Sequence, residues 1–186
     1  MEENKLDKQY LDKFESRVHD GVARFLAGIG AIDTRLPEAQ DIDDRWEGLC
    51  MAYLPDGVRE FAAYPTVSLG WMMFIGMAVA KMWDEDWRMY SAFSDIYNSI
   101  LKKGRGYDCM DEYICQDILK LSKKDEEAVS KLAGDAATMV HGMLIHEGFE
   151  PGTPTAFNAY VRCLHQLYYF GAAVELRRLG YHMTLL

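Results

Sequence analysis

Apolar residues at Leu6, Tyr10, Phe14, Val18, Val22, Phe25 and Ile29 recur in steps of three or four, which lays one stripe along an amphipathic helix. Gly28 and Gly30 end it, and residues 34–44, with Pro37 and four acidic side chains, read as a connection. The pattern then predicts a helix over 44–53, a turn at Pro55, Asp56 and Gly57, and a short helical piece over 58–64. Pro65 suits a first helical turn and opens an apolar helix through Trp83. Asp84, Glu85 and Asp86 mark either the exit of that helix or the first turn of the next, where negative charge suits the dipole.

Phe93, Ile96, Tyr97, Ile100 and Leu101 stripe the following helix, and the KKGRG sequence at 102–106 supplies basic residues and glycines for its end. A shorter helix is predicted over 108–121. Ser122, three residues before Asp125, has the spacing of an amino-terminal cap. The helix it starts carries Val129, Leu132, Ala136, Met139, Val140 and Met143 on one face. Residues 148–153 close it, and Thr153 with Pro154 launches a last long helix ending near Gly180. Nowhere do two runs of period-two alternation flank a hairpin dipeptide. The expectation is an all-α single domain over 1–186, a bundle of about six or seven helices with apolar central helices. Short connections favour antiparallel neighbours.

Residues 61–80 carry no charge, which raises the question of a membrane span. With Pro65 opening the helix, 66–80 is the uncharged helical stretch before Lys81, short of the roughly 20 residues a span needs. A buried central helix is the better reading, and no membrane partner is expected. The amino end alternates charged and apolar residues, unlike a secretory signal.

Composition narrows the class further. The 186 residues hold 20 Lys plus Arg against 29 Asp plus Glu, a net charge of −9, with no basic stripe to displace counterions from nucleic acid. A chain of this length, 49% hydrophobic, builds a core without metal or disulfide staples. Cys50, Cys109, Cys115 and Cys163 lack the spacing of a disulfide framework or a zinc site, so reduced thiols in a cytoplasm are expected.

Chemistry is harder to find. Helical bundles build metal sites from Glu-x-x-His pairs, and this chain has none. Glu15 and His19, four apart, read as a solvated pair on a helix edge. His141, His146 and Glu147 come nearest to a metal set, but a spacing of five turns the two imidazoles to different faces, so no metal and no cofactor is predicted. Glu175 projects onto the apolar face of the last helix, with Phe157, Val161, Leu164, Tyr168, Gly171 and Ala172. There it is either a desolvated acid beside His165 or a tyrosine, or, the preferred reading, a carboxylate at a face that has run out into solvent beside Arg177 or Arg178. Trp71, Tyr168 and neighbouring aromatic and methionine residues read first as core, and otherwise as the wall of a ligand pocket. Glu175, His165, Tyr168, Trp71 and Asp84 are the pocket candidates, since pockets need a few convergent polar groups.

No nucleophile elbow, phosphate-binding glycine loop or haem attachment sequence occurs. The expectation is therefore a soluble, cytoplasmic helical binding or interaction protein, acting by self-association or on a protein partner, and not an enzyme. The alternatives are a helical-bundle metal or acid–base enzyme and a carrier of a small apolar ligand.

Overall fold

The computed structural model describes residues 5–33 and 38–181, and among them the chain is helical with no strand. Pro37 of the predicted connection and the first four residues of the amino end lie outside the described residues. Five long helices frame the molecule: α1 (Lys5–Gly28), α3 (Trp46–Ala63), α4 (Pro65–Tyr90), α7 (Lys123–Glu147) and α8 (Pro154–Arg178). Three short ones, α2 (Gln40–Asp43), α5 (Lys102–Arg105) and α6 (Met110–Tyr113), lie between them. Two π-helical turns, Tyr97–Leu101 and Ile114–Ile118, adjoin α5 and α6.

The caps read from sequence are in place. The Ser122 hydroxyl accepts from the Asp125 N–H and the Thr153 hydroxyl from the Ala156 N–H, each satisfying a donor that a helix start leaves open. Gly148, at φ +67°, ends α7 in the left-handed conformation that a side chain disfavours.

The turn predicted at Pro55, Asp56 and Gly57 does not form, because α3 runs straight through it. Pro55 removes one rung of the hydrogen-bond ladder on the solvent side of the helix. The buried side holds: Asp56 accepts from the Tyr97 hydroxyl and pairs with Lys102, while the Gly57 carbonyl accepts from the Ser68 hydroxyl. A Cβ at Gly57 would collide with Tyr53 and Tyr160, so the glycine serves a close approach rather than a turn.

Helix α4 is also longer than the pattern implied, 26 residues rather than a stretch ending at Trp83. Asp86 leaves helical geometry (φ −162°, ψ 77°), and its carboxylate accepts from the Met89 N–H, capping one last separate turn. The acidic trio thus marks the exit. By length and composition α4 could cross a membrane, but 72% of its most apolar stretch is buried inside the protein, as a central helix requires.

Helix α4 packs most extensively on α8. Their paired residues advance in step, Ser68 with Tyr160, Gly76 with Tyr168 and Asp84 with Tyr181, so the two run in the same direction. Helix α1 likewise runs parallel to α8, with Asp12 paired to Arg162 and Asp33 to Arg177. Antiparallel packing holds instead between helices adjacent in sequence, such as α7 and α8, as short connections dictate. The apolar faces meet in one continuous cluster that includes the stripe of α7 and, from α1, Leu11, Phe14, Val18, Val22 and Leu26, while Leu6, Tyr10 and Ile29 of the expected stripe are exposed.

Candidate functional site

A cleft of about 570 Å³ lies where the start of α3 meets α1 and α8. His19 of α1, Asp43 at the end of α2, Trp46 and Glu47 of α3, and His165, Gln166 and Tyr169 of α8 line it together with Asp44. No lysine or arginine lines it.

Each side chain is set by the helix that carries it. The Trp46 ring stacks on His165 at 4.7 Å and 17° between planes, and meets Tyr168 at 5.4 Å with the planes tilted by 37°. Tyr168 is buried and its hydroxyl donates to the Ile42 carbonyl at 2.5 Å, which ties α8 to the short helix bearing Asp43. His165 Nδ1 stands 3.7 Å from the Glu15 carboxylate.

Gln166 joins His19 to Glu15. Its Nε2 donates to Glu15 Oε2 at 2.8 Å, and its Oε1 lies 2.8 Å from His19 Nδ1. A carboxylate only accepts, so Glu15 fixes which way the amide faces; the amide oxygen in turn requires the proton of a neutral His19 to sit on Nδ1, leaving a lone pair on Nε2. Burial pushes the Glu15 carboxyl up, but the nearby His165, the Gln166 hydrogen bond and the charge of Arg162 outweigh it and hold the group below its ordinary value. Asp43 moves the other way, because burial and the neighbouring Asp44 outweigh the attraction of His165.

Of the pocket residues anticipated from sequence, only His165 lines this cleft, with Tyr168 supporting it from behind. Trp71 lies in another aromatic group, its indole N–H donating to the Tyr107 carbonyl at 2.8 Å. Asp84 is exposed and accepts from the Tyr181 hydroxyl at 2.7 Å. Glu175 is 1% exposed, which corrects the expectation of a solvated carboxylate. The apolar face of α8 does not run out there, since Val174 and Leu176 beside it are buried as well. The anticipated arginine partner is Arg178, 3.2 Å away. Burial nevertheless raises the Glu175 carboxyl, with Arg178 and Lys81 offsetting part of the rise.

The nearest approach to a metal set separates in space. His141 is half-buried against Phe61, His146 is exposed, and Glu147 accepts from Tyr10 and Arg17 of α1. Among the described residues no group of three or more His, Cys, Asp or Glu is placed to hold a metal. Glu15 and His19 do not form the pair their spacing implied; both turn to Gln166 on α8.

Asp43, Asp44, Trp46, Glu47 and Gln166 escaped the sequence reading. Gln166 is 9% exposed in the fold, but Arg162 shares its helix face, so its position in the sequence carried no signal for the cleft. No family model, no curated protein and no solved structure matches this chain.

Proposed function

We propose that this chain is a binding protein whose cleft takes a small organic cation. The observation that carries the reading is the charge of the wall, which holds three carboxylates and no lysine or arginine. Asp43, Asp44 and Glu47 set three carboxylates around the cleft, and with the His19 Nδ1–H turned to Gln166 and the Gln166 amide donating to Glu15, His19 Nε2 adds a further acceptor. Trp46 and Tyr169 add aromatic surface, against which a cation gains about 0.5–2 kcal/mol. The volume falls within the range of small-molecule sites. Four free cysteines, three of them buried, support a cytoplasmic setting, and burial pushes the Cys50 thiol up to about 11, away from reactivity.

The test is titration with benzamidine, a flat cation, against benzamide, its neutral counterpart, read by calorimetry and tryptophan emission. Saturable binding of benzamidine alone is expected, weakened at least tenfold by the double substitution Asp44→Asn with Glu47→Gln and weakened by salt. The emission change should vanish in Trp46→Phe. Absence of saturable binding for benzamidine and for a panel of alkyl and aromatic amines would refute the reading.

A further inference from the structure

A second concavity lies on a different side of the molecule, in the elbow where the end of α7 turns into the start of α8 beneath the last turns of α3. It consists of two adjoining hollows of about 360 and about 300 Å³ that share Phe61, Pro151, Ala156 and Tyr160. Leu144, Ile145 and Phe149 extend one, Val58 and Phe157 the other. No charged side chain lines either.

The polar side chains of this groove are accounted for, with one exception. The Tyr160 hydroxyl is turned inward to the Ser68 hydroxyl at 2.5 Å. The Thr153 hydroxyl donates to the Glu150 carbonyl and caps α8. His141 meets only the edge of Phe61, 6.0 Å between ring centres, and makes no hydrogen bond to another described residue. A carbon-lined groove with one uncommitted imidazole has the layout of a ligand site, in which apolar contact supplies affinity and a single polar group fixes orientation.

We propose that the groove binds an uncharged alkyl or alkyl-aryl molecule bearing one hydroxyl or carbonyl oxygen, its chain over Ala156 and between Phe61 and Pro151, its oxygen hydrogen-bonded to His141. The chemistry of the wall selects the class. A charged head would find no counter-ion among the lining side chains, and an anion would also oppose the chain's net charge of −9. A wholly apolar molecule would leave His141 unused. The site is separate from the cleft around Trp46, and the two proposals stand or fall apart.

The probe pair is 1-octanol and octanoate at pH 8, displacing Nile red, a neutral dye whose emission reports an apolar site. Wild-type protein should bind Nile red saturably and release it to octanol, with octanoate at least tenfold weaker. Ala156→Trp fills the part common to both hollows and should abolish both dye and octanol binding. His141→Phe keeps an aromatic ring and should retain the dye while weakening octanol about tenfold, the scale of one hydrogen bond. Should Ala156→Trp fail to fold by circular dichroism, methyl shifts on adding octanol to wild-type protein decide: the proposal requires them at Leu144, Ile145 and Ala156. Asp44→Asn with Glu47→Gln should leave octanol binding unchanged. No dye binding, binding that survives Ala156→Trp, or octanoate binding as tightly as octanol would overturn the proposal. So would a wild-type dimer, seen by sedimentation, that Ala156→Trp dissociates without any octanol binding.

Discussion

The two faces of α8 solve the problem of packing against another parallel helix in opposite ways. Toward α4, glycine faces glycine's neighbours: a Cβ on Gly171 would overlap the Met73 carbonyl oxygen, and one on Gly76 would overlap that of Tyr168. At these two positions the backbones touch, and no room is left between them for a side chain. Toward α1, long polar side chains hold the helices together, with Gln166 between Glu15 and His19 and Arg162 against Asp12 and Glu15. Those side chains leave hollows on both sides, one of them the cleft at Trp46 and the other lined by Ser16 and Asp20. The lesson is a division of labour within one helix: the seam built from small residues fixes the scaffold, and the seam built from polar ones leaves the open space of the cleft.

The largest expected effect tests the first seam. Gly171→Ala forces the backbones of α4 and α8 apart and should cost about 3 kcal/mol of unfolding free energy, measured by urea denaturation. A loss under 1 kcal/mol would mean the helices slide freely and the seam is no scaffold. Gln166→Leu tests the second and should cost about 1.5 kcal/mol, since it strips a hydrogen bond from the half-buried Glu15 carboxylate but leaves Arg162 in place. Equal losses at the two positions would erase the contrast. The substitution also changes the acid response. Because Glu15 sits below its ordinary 4.5 in the folded chain, the stability it contributes is complete above that value and disappears as pH falls through the lower folded one; Gln166→Leu should shrink this acid loss.

The smallest effect sharpens the comparison at the carboxyl end of α8, where a charge lies within the apolar face. Glu175 is raised by burial, so the folded chain holds its proton more strongly than the unfolded one. Its cost to stability is absent below the ordinary 4.5, grows as pH rises through the raised folded value, and is complete above it. Glu175→Gln should therefore be more stable than wild type at pH 7, with the advantage vanishing below pH 4.5 in melting experiments. A variant less stable at pH 7 would show that the Arg178 pair outweighs the desolvation.

Much of the fold was legible because it depends on local chemistry. The stripe of α7, the caps at Ser122 and Thr153, and the burial of α4 came through from periodicity and spacing, whereas the α1 stripe held only at Phe14, Val18 and Val22, with Leu11 and Leu26 buried in place of the exposed Leu6, Tyr10 and Ile29. Local reading failed at Pro55, where contacts from Ser68, Tyr97 and Lys102 on later parts of the chain override a turn-forming tripeptide. It failed at Glu175 for the same reason, since whether a helix face ends in solvent depends on what packs against it. The cleft was the least legible feature. Glu15 and Gln166 are 151 positions apart, and neither residue alone announces the other.

What the sequence determined by itself was the helical class, most of the helix starts and the apolar identity of α4 and α8, because periodicity, capping and burial preference act over a turn or two of chain. Only the tertiary structure decided that α1, α4 and α8 run parallel, that Gln166 sets the tautomer of His19, and that His19 and His165 line an acidic cleft while His141 lines a carbon groove. Those outcomes depend on distances between side chains far apart in sequence, and such distances are fixed only when the helices pack.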